Sequence, residues 1–273
     1  MVNHKLFQLQ IKRKKILFMS IQFALVIFLF SMWELLTYLN VLDKFLFSCP
    51  SEIIKLLIEN IKSSEIFIHI GYSLLETLIA LFIGTVLGIV LAIILWFFPS
   101  ISKILDPFLV VLNALPKTAL APILIVWAGT GVKGIVVVAI SLSLVMTIIS
   151  ALNFFNNVDK EKIKMLKTFN ANKFQILFKL VLPSNIANLI SIVKINIGLT
   201  WVGVIVGEFL VSRFGIGYIV VYGGQVFKMD LVMMGVFVLA LLAFLMYIII
   251  ALIEKKLKKR WKDSLWKINL KFY

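Results

Sequence analysis

The sequence predicts an all-α fold: a polytopic membrane protein with six transmembrane helices. Three observations carry this. Hydrophobic residues make up 62% of the 273 positions and charged residues 15%, against about 45–50% apolar and about 25% charged in soluble domains. The mean hydropathy is +1.06, and the apolar residues gather into six runs near the roughly 20 residues that a spanning helix needs. The net charge of +15 is spread in blocks beside those runs, as membrane flanks are. It forms no aromatic-interleaved groove for nucleic acid.

Residues 1–15 are a basic tail. Residues 16–39 form the first span, longer than the roughly 7–15-residue core of a signal peptide and without a small-residue cleavage site after it. It reads as uncleaved. Residues 40–71 lie between spans. Within them Ile53, Ile54, Leu57, Ile58 and Ile61 recur with an amphipathic helical period, Pro50 stands before it and Ser51 is the candidate N-cap. The second span is 72–97. The third, 104–127, carries Pro107, Pro116, Pro122, Asp106 and Lys117 and is expected to be kinked or broken, which needs protein or a cavity to satisfy the freed backbone groups. The fourth span is 132–152.

A polar, lysine-rich island follows at 159–183. The fifth span is 186–207, a loop covers 208–230, the sixth span is 231–253, and 254–273 is a second basic tail. Gly215, Gly217, Gly223 and Gly224 punctuate a half-apolar loop, a composition suited to a segment that dips back into the bundle. Gly84–Gly88 and Gly203–Gly207 are spaced for close helix packing. Twenty Lys and Arg fall on the side of both tails and the island, and six on the other. This predicts cytoplasmic termini and a cytoplasmic island.

Chemistry is sparse. Cys49 is the one cysteine, and the two histidines, His4 and His69, belong to no metal-ligand array. Gly129–Lys133 lacks P-loop spacing, so ATP hydrolysis is not expected in this chain, nor is catalysis or a metal. Glu76, Asp106, Lys117, Lys194 and Glu208 are the ionisable groups in or near spans, costly there at about 2.5–3.5 kcal/mol each near the bilayer centre. Glu76 and Asp106 are expected near an interface, and Lys194 to snorkel. Asn113, Lys117, Trp201 and Glu208 are candidates for a translocation path, with packing or local hydrogen bonding the other reading of each.

The island reads as helix–turn–helix. Asp159 caps a short helix with Ile163, Leu166 and Phe169 as an apolar stripe. Asn170 stands where that helix must turn, since asparagine tolerates the left-handed conformation. Asn172 and Gln175 have capping-box spacing, and a second helix from Lys173 to Leu182 is punctuated by Pro183. One reading of this pattern is an amphipathic hairpin on anionic lipid.

The island also resembles the cytoplasmic loop of type I binding-protein-dependent ABC importer permeases: Glu-Ala-Ala, three residues, Gly, nine residues, Ile-x-Leu-Pro. With Leu182-Pro183 as the Leu-Pro, Leu180 takes the Ile position, Asn170 the Gly position, and Lys164-Met165-Leu166 the Glu-Ala-Ala positions. Asn keeps the turn, while Lys reverses a charge. NALPKTALAPILIVWAGTG (113–131), WVGVIVGEFLVSRFGIGYIV (201–220) and SCPSEIIKLL resemble segments of the subfamily importing sulfonates, taurine and nitrate, some of whose members take thiamine-precursor pyrimidines or other nitrogen compounds. The resemblance implies a type I ABC importer permease (MetI-like) fold over about 69–254 in a bacterial inner membrane. It implies a second permease subunit, expected to be another copy of this chain, two ATPase subunits holding ATP and Mg, and an extracytoplasmic binding protein. Ile163, Lys164, Met165, Leu166, Asn170, Ala171 and Pro183 would meet the ATPase. A stand-alone secondary transporter or channel and a non-transporting membrane anchor remain as other classes.

Overall fold

Long apolar runs in lipid leave the backbone few ways to satisfy its own polar groups, and the helix is the local one. The computed structural model describes residues 4–269 and is built from helices, with no strand among the described residues. In chain order these are α1 (His4–Tyr38), α2 (Lys44–Phe47), α3 (Pro50–Lys62), α4 (Glu65–Phe97), α5 (Pro99–Ala114), α6 (Ala121–Ala128), α7 (Val132–Asn156), α8 (Lys160–Thr168), α9 (Lys173–Ile176), a π-turn (Leu177–Val181), α10 (Leu182–Val211), α11 (Ile216–Gln225) and α12 (Met229–Asn269).

Five stretches among the described residues are long and apolar enough to cross a membrane: Ile16–Tyr38, Glu65–Phe97, Val132–Asn156, Lys173–Val211 and Met229–Lys256. Residues 104–127 are divided between α5 and α6, and neither half reaches spanning length. The break starts at Leu115, extended at φ −62°, ψ 138°, because the ring of Pro116 disfavours a helical residue before it. Two tight turns follow, Ala119 N–H to Pro116 O at 2.9 Å and Leu120 N–H to Lys117 O at 3.1 Å. Pro107 is carried inside α5 without ending it.

The chain divides into two compact units, Met1–Glu65 with Tyr222–Met234, and Ile66–Val221 with Gly235–Tyr273. In the first, Ser51 does not cap α3. Cys49 is the N-cap residue and Pro50 takes the first helical position, where its missing N–H costs nothing. Ser51 is therefore free to donate its N–H (3.0 Å) and hydroxyl (2.7 Å) to the Glu34 carboxylate on α1. Ser48 donates its hydroxyl to Asp230 at 2.5 Å.

In the second unit α7 is the central helix. A Cβ added to Gly84 or Gly88 of α4 would meet Ser143 or Thr147 of α7 at 2.5 Å. One added to Gly203 or Gly207 of α10 would meet the α7 backbone at Ala139 Cα (2.4 Å) or Ile135 Cα (2.9 Å). Both glycine pairs thus act as close-packing faces, set against successive residues of one i, i+4 row of α7, Ile135 and Ala139 for α10 and Ser143 and Thr147 for α4. Asn196 of α10 crosses this core, donating to Thr85 (2.9 Å) on α4 and Thr147 (2.8 Å) on α7.

Candidate functional site

The polar loop after α7 is a rigid bracket. Asp159 accepts the N–H of Glu161 at 2.9 Å and caps α8. At the other end Asn170 N–H bonds to Lys167 O (2.9 Å), Ala171 N–H bonds to Leu166 O (3.0 Å), and Asn170 sits at φ +54°. This is a Schellman motif with asparagine in the left-handed position usually held by glycine. A capping box then opens α9: Asn172 accepts from Gln175 N–H (2.8 Å) and Gln175 accepts from Asn172 N–H (2.9 Å).

The bracket is fixed to the transmembrane core. Ile163, Leu166, Ala171 and Leu180 pack against Phe155, Ile176, Leu177 and Val181. Lys173 donates to Phe97 O at 3.2 Å, satisfying a carbonyl at the end of α4, and the Phe97 and Phe174 rings lie 4.9 Å apart. The expected stripe of Ile163, Leu166 and Phe169 is corrected here. Phe169 is the C-cap residue, where the helical period ends, and it is 76% exposed. With Met165, 54% exposed, it forms an apolar tip beside the exposed Lys164 and Asn170.

Pro183 does not end the second helix. It stands in the first turn of α10, and the chain is helical from Lys173 to Val211. A proline ring clashes with the carbonyl four residues back. Here the preceding turn is widened to π geometry, with Leu182 N–H reaching Leu177 O, which admits the proline without a break. The second arm of the bracket, from Lys173, and α10 are therefore one continuous helical piece, with α8 joined to it through the Asn170 turn.

Asn113 and Lys117 flank the break between α5 and α6, with Lys117 Nζ 3.4 Å from both the backbone and side-chain oxygens of Asn113. Trp201 is 3% exposed and packs with Leu81, Ile197 and Met246. Glu208 is 1% exposed. It accepts the Ser73 hydroxyl (2.6 Å) and the Gly217 N–H (2.5 Å), while Ser73 accepts the Ile216 N–H (2.8 Å). The carboxylate thus clasps the first turn of α11, where a helix N-terminus favours negative charge. Gly215 and Gly217 are needed there, because a Cβ on either would lie within 2.6 Å of the Glu208 carboxyl group. His69 Nδ1 lies 3.1 Å from Gly215 N and its ring stacks on Tyr218. Glu76, expected near an interface, is fully buried, whereas Asp106 is exposed. Lys194 does not snorkel free: it donates to Glu254 at 2.5 Å.

Sequence reasoning found the turn and both caps, which are local. It missed Phe169 as a tip residue, the Asn196 crossing, the Ser73 and His69 partners of the α11 clasp, and Glu254. Each depends on which helix faces which.

Residues 84–259 match the model of the binding-protein-dependent transport system inner membrane component family. A Bacillus subtilis permease protein named for aliphatic sulfonates transport is 26% identical over 235 residues, 86% of this chain and 84% of the relative. The taurine transport system permease protein TauC of Escherichia coli is 22% identical over 234 residues, 84% of this chain and 85% of the relative. The formylaminopyrimidine transport permease protein ThiX of Halalkalibacterium halodurans is 26% identical over 174 residues, 64% of this chain and 69% of the relative. An inward-facing structure of the MetNI methionine ABC transporter superposes with a TM-score of 0.61 at 17% identity, covering 69% of this chain and 94% of that one. The two share a helical fold.

Proposed function

The chain belongs to the family of binding-protein-dependent transport system inner membrane components, and from that premise we propose that it carries a small sulfonate-, taurine- or nitrate-like anion inward on ATP hydrolysed by separate subunits. It is a transporter permease subunit and not an enzyme. Its transport domain extends over about residues 69–254 in this reading, with both termini and the bracket on the cytoplasmic side. A partner binding protein delivers the solute outside, and two permease subunits, both copies of this chain, stand on two ATPases that hold ATP and Mg.

One observation carries the coupling assignment. The bracket is capped at both ends of α8 and at the start of α9, and its second arm runs on into α10, yet the end of α8 presents an exposed apolar tip of Met165 and Phe169. A lipid-lying hairpin would lay its whole apolar side on the surface. Here Ile163 and Leu166 are turned into the protein while Met165 and Phe169 project from the end of α8, as a plug for a groove does. In this reading Lys164, Met165 and Asn170 meet the ATPase. Ile163, Leu166 and Ala171 hold the bracket on the core, and Pro183 marks its junction with α10. Closure of the ATPases then moves the bracket and α10 together.

The anion class rests on the relatives' names and on Lys117, a cation at the break between α5 and α6. Asn113 and Lys117 are read as path residues, and Trp201 and Glu208 as the packing and clasp that shape the path. A pyrimidine cargo is the second reading, favoured by the formylaminopyrimidine relative.

The test is co-purification and coupled transport. Phe169→Asp is expected to leave membrane insertion intact and to lower recovery of the ATPase with the tagged chain by at least fivefold. Wild-type recovery with normal ATP-driven uptake would remove the bracket from the ATPase interface.

A further inference from the structure

Residues 186–207 hold a single charge, Lys194, and residues 231–253 hold none before Glu254. The fold brings these two together. Lys194 Nζ on α10 donates to Glu254 Oε2 on α12 at 2.5 Å, with side-chain exposures of 22% and 10%. The Tyr247 ring lies 6.0 Å from the same ammonium, within cation–π reach. Among the described residues the two helices also meet through apolar side chains, Ile197 and Trp201 packing with Leu242, Met246 and Ile250.

Two physical points give this pair a role beyond holding two helices together. A buried ion pair is a poor source of stability, and apolar side chains of similar volume serve as well or better. What it supplies is direction, since a charged hydrogen bond is satisfied at one separation and one register. Apolar packing tolerates sliding between helices. The pair also sits on the part of α10 nearest the bracket, 11 residues beyond Pro183, or about 16 Å along a helix.

We infer that Lys194 and Glu254 form an interhelical latch that makes α12 follow α10 when the bracket moves, so that the bracket's displacement reaches both helices. The inference rests on the coupling role proposed above for the bracket. Lys194 and Glu254 are positioning residues in it and touch neither solute nor nucleotide.

The test uses the full complex in liposomes, with taurine as the transported probe and spin labels on the exposed positions Ile195→Cys and Leu252→Cys. Lys194→Met and Glu254→Gln are each expected to lower taurine imported per ATP hydrolysed at least fivefold. Each should also let the label distance change on ATP binding, where the intact pair holds it constant. Exchanging the charges, Lys194→Glu with Glu254→Lys, is expected to restore both readouts.

The apolar double variant Lys194→Met with Glu254→Leu separates the latch from simple stability. It removes both members of the pair together, so it should assemble with the ATPase in wild-type yield yet keep the low ratio and the variable distance. Wild-type coupling in either single variant or in the apolar pair overturns the latch, as does an assembled charge exchange that restores neither readout. Should the unmodified complex move no taurine, the solute assignment fails and the label distances alone decide the latch. A distance that stays constant on ATP binding in both single variants overturns it.

Discussion

Asn170 shows how a local rule survives a change of residue. The turn needs a backbone at φ +54°, and after glycine asparagine is the side chain that enters that region at least cost. Asn170→Gly is expected to retain coupled uptake. Asn170→Val adds a β-branched side chain where left-handed geometry costs about 1–2 kcal/mol, and should uncouple ATP hydrolysis from uptake while membrane insertion persists. Measuring both rates on one reconstituted sample decides it, and normal coupling in the valine variant removes the turn from the mechanism. Lys117 sets a second expectation at this scale. If it meets an anionic solute, Lys117→Met should lower taurine uptake about tenfold, the equivalent of a charged hydrogen bond worth about 1.5 kcal/mol. Unchanged uptake would point to an uncharged cargo.

At the scale of elements, the two glycine pairs explain why α7 is central. Apolar side chains lose no water when they leave lipid for a neighbouring helix, so association depends on close backbone approach and interhelical hydrogen bonds. Gly203→Val would set a side chain against the Ala139 backbone, which lies 2.4 Å from the first added carbon. The helices must separate, and overpacking of this kind costs about 1–3 kcal/mol. The expected result is a lower thermal unfolding midpoint in detergent and poor recovery of the assembled complex. Gly198, which has nothing within 4 Å of its added Cβ, should accept alanine without such loss. The π-turn before α10 belongs to the same scale: it lets Pro183 stand inside a continuous helix, so that the second arm of the bracket is an extension of α10.

At the scale of the molecule, the polar groups inside the spans fall into separate tasks. Glu208, Ser73 and His69 clasp the start of α11. Asn196 ties α10 to α4 and α7, and Lys194 ties α10 to α12. Every one of these ties involves α10 or the loop that follows it, and α10 is continuous with the second arm of the bracket. A helix fastened to α4, α7, α11 and α12 and extended into the second arm of the bracket is suited to moving as one body with them. That arrangement is what an importer driven by a separate motor requires of its permease.

Length and apolar periodicity along the chain determined the spans, because a helix satisfies its own backbone and needs only its own residues to do so. The break at Leu115–Pro116, the caps at Asp159 and Asn172 and the turn at Asn170 were legible for the same reason, each being decided within about four residues. The tertiary structure decided which side of each helix faces protein. It turned Phe169 outward past the end of α8, closed Glu208 on Ser73 and the α11 turn, and paired Lys194 with a carboxylate sixty residues away. Those pairings depend on the rotation and register of one helix against another. In apolar segments where almost any face can meet lipid, the one-dimensional pattern carries little information about that choice.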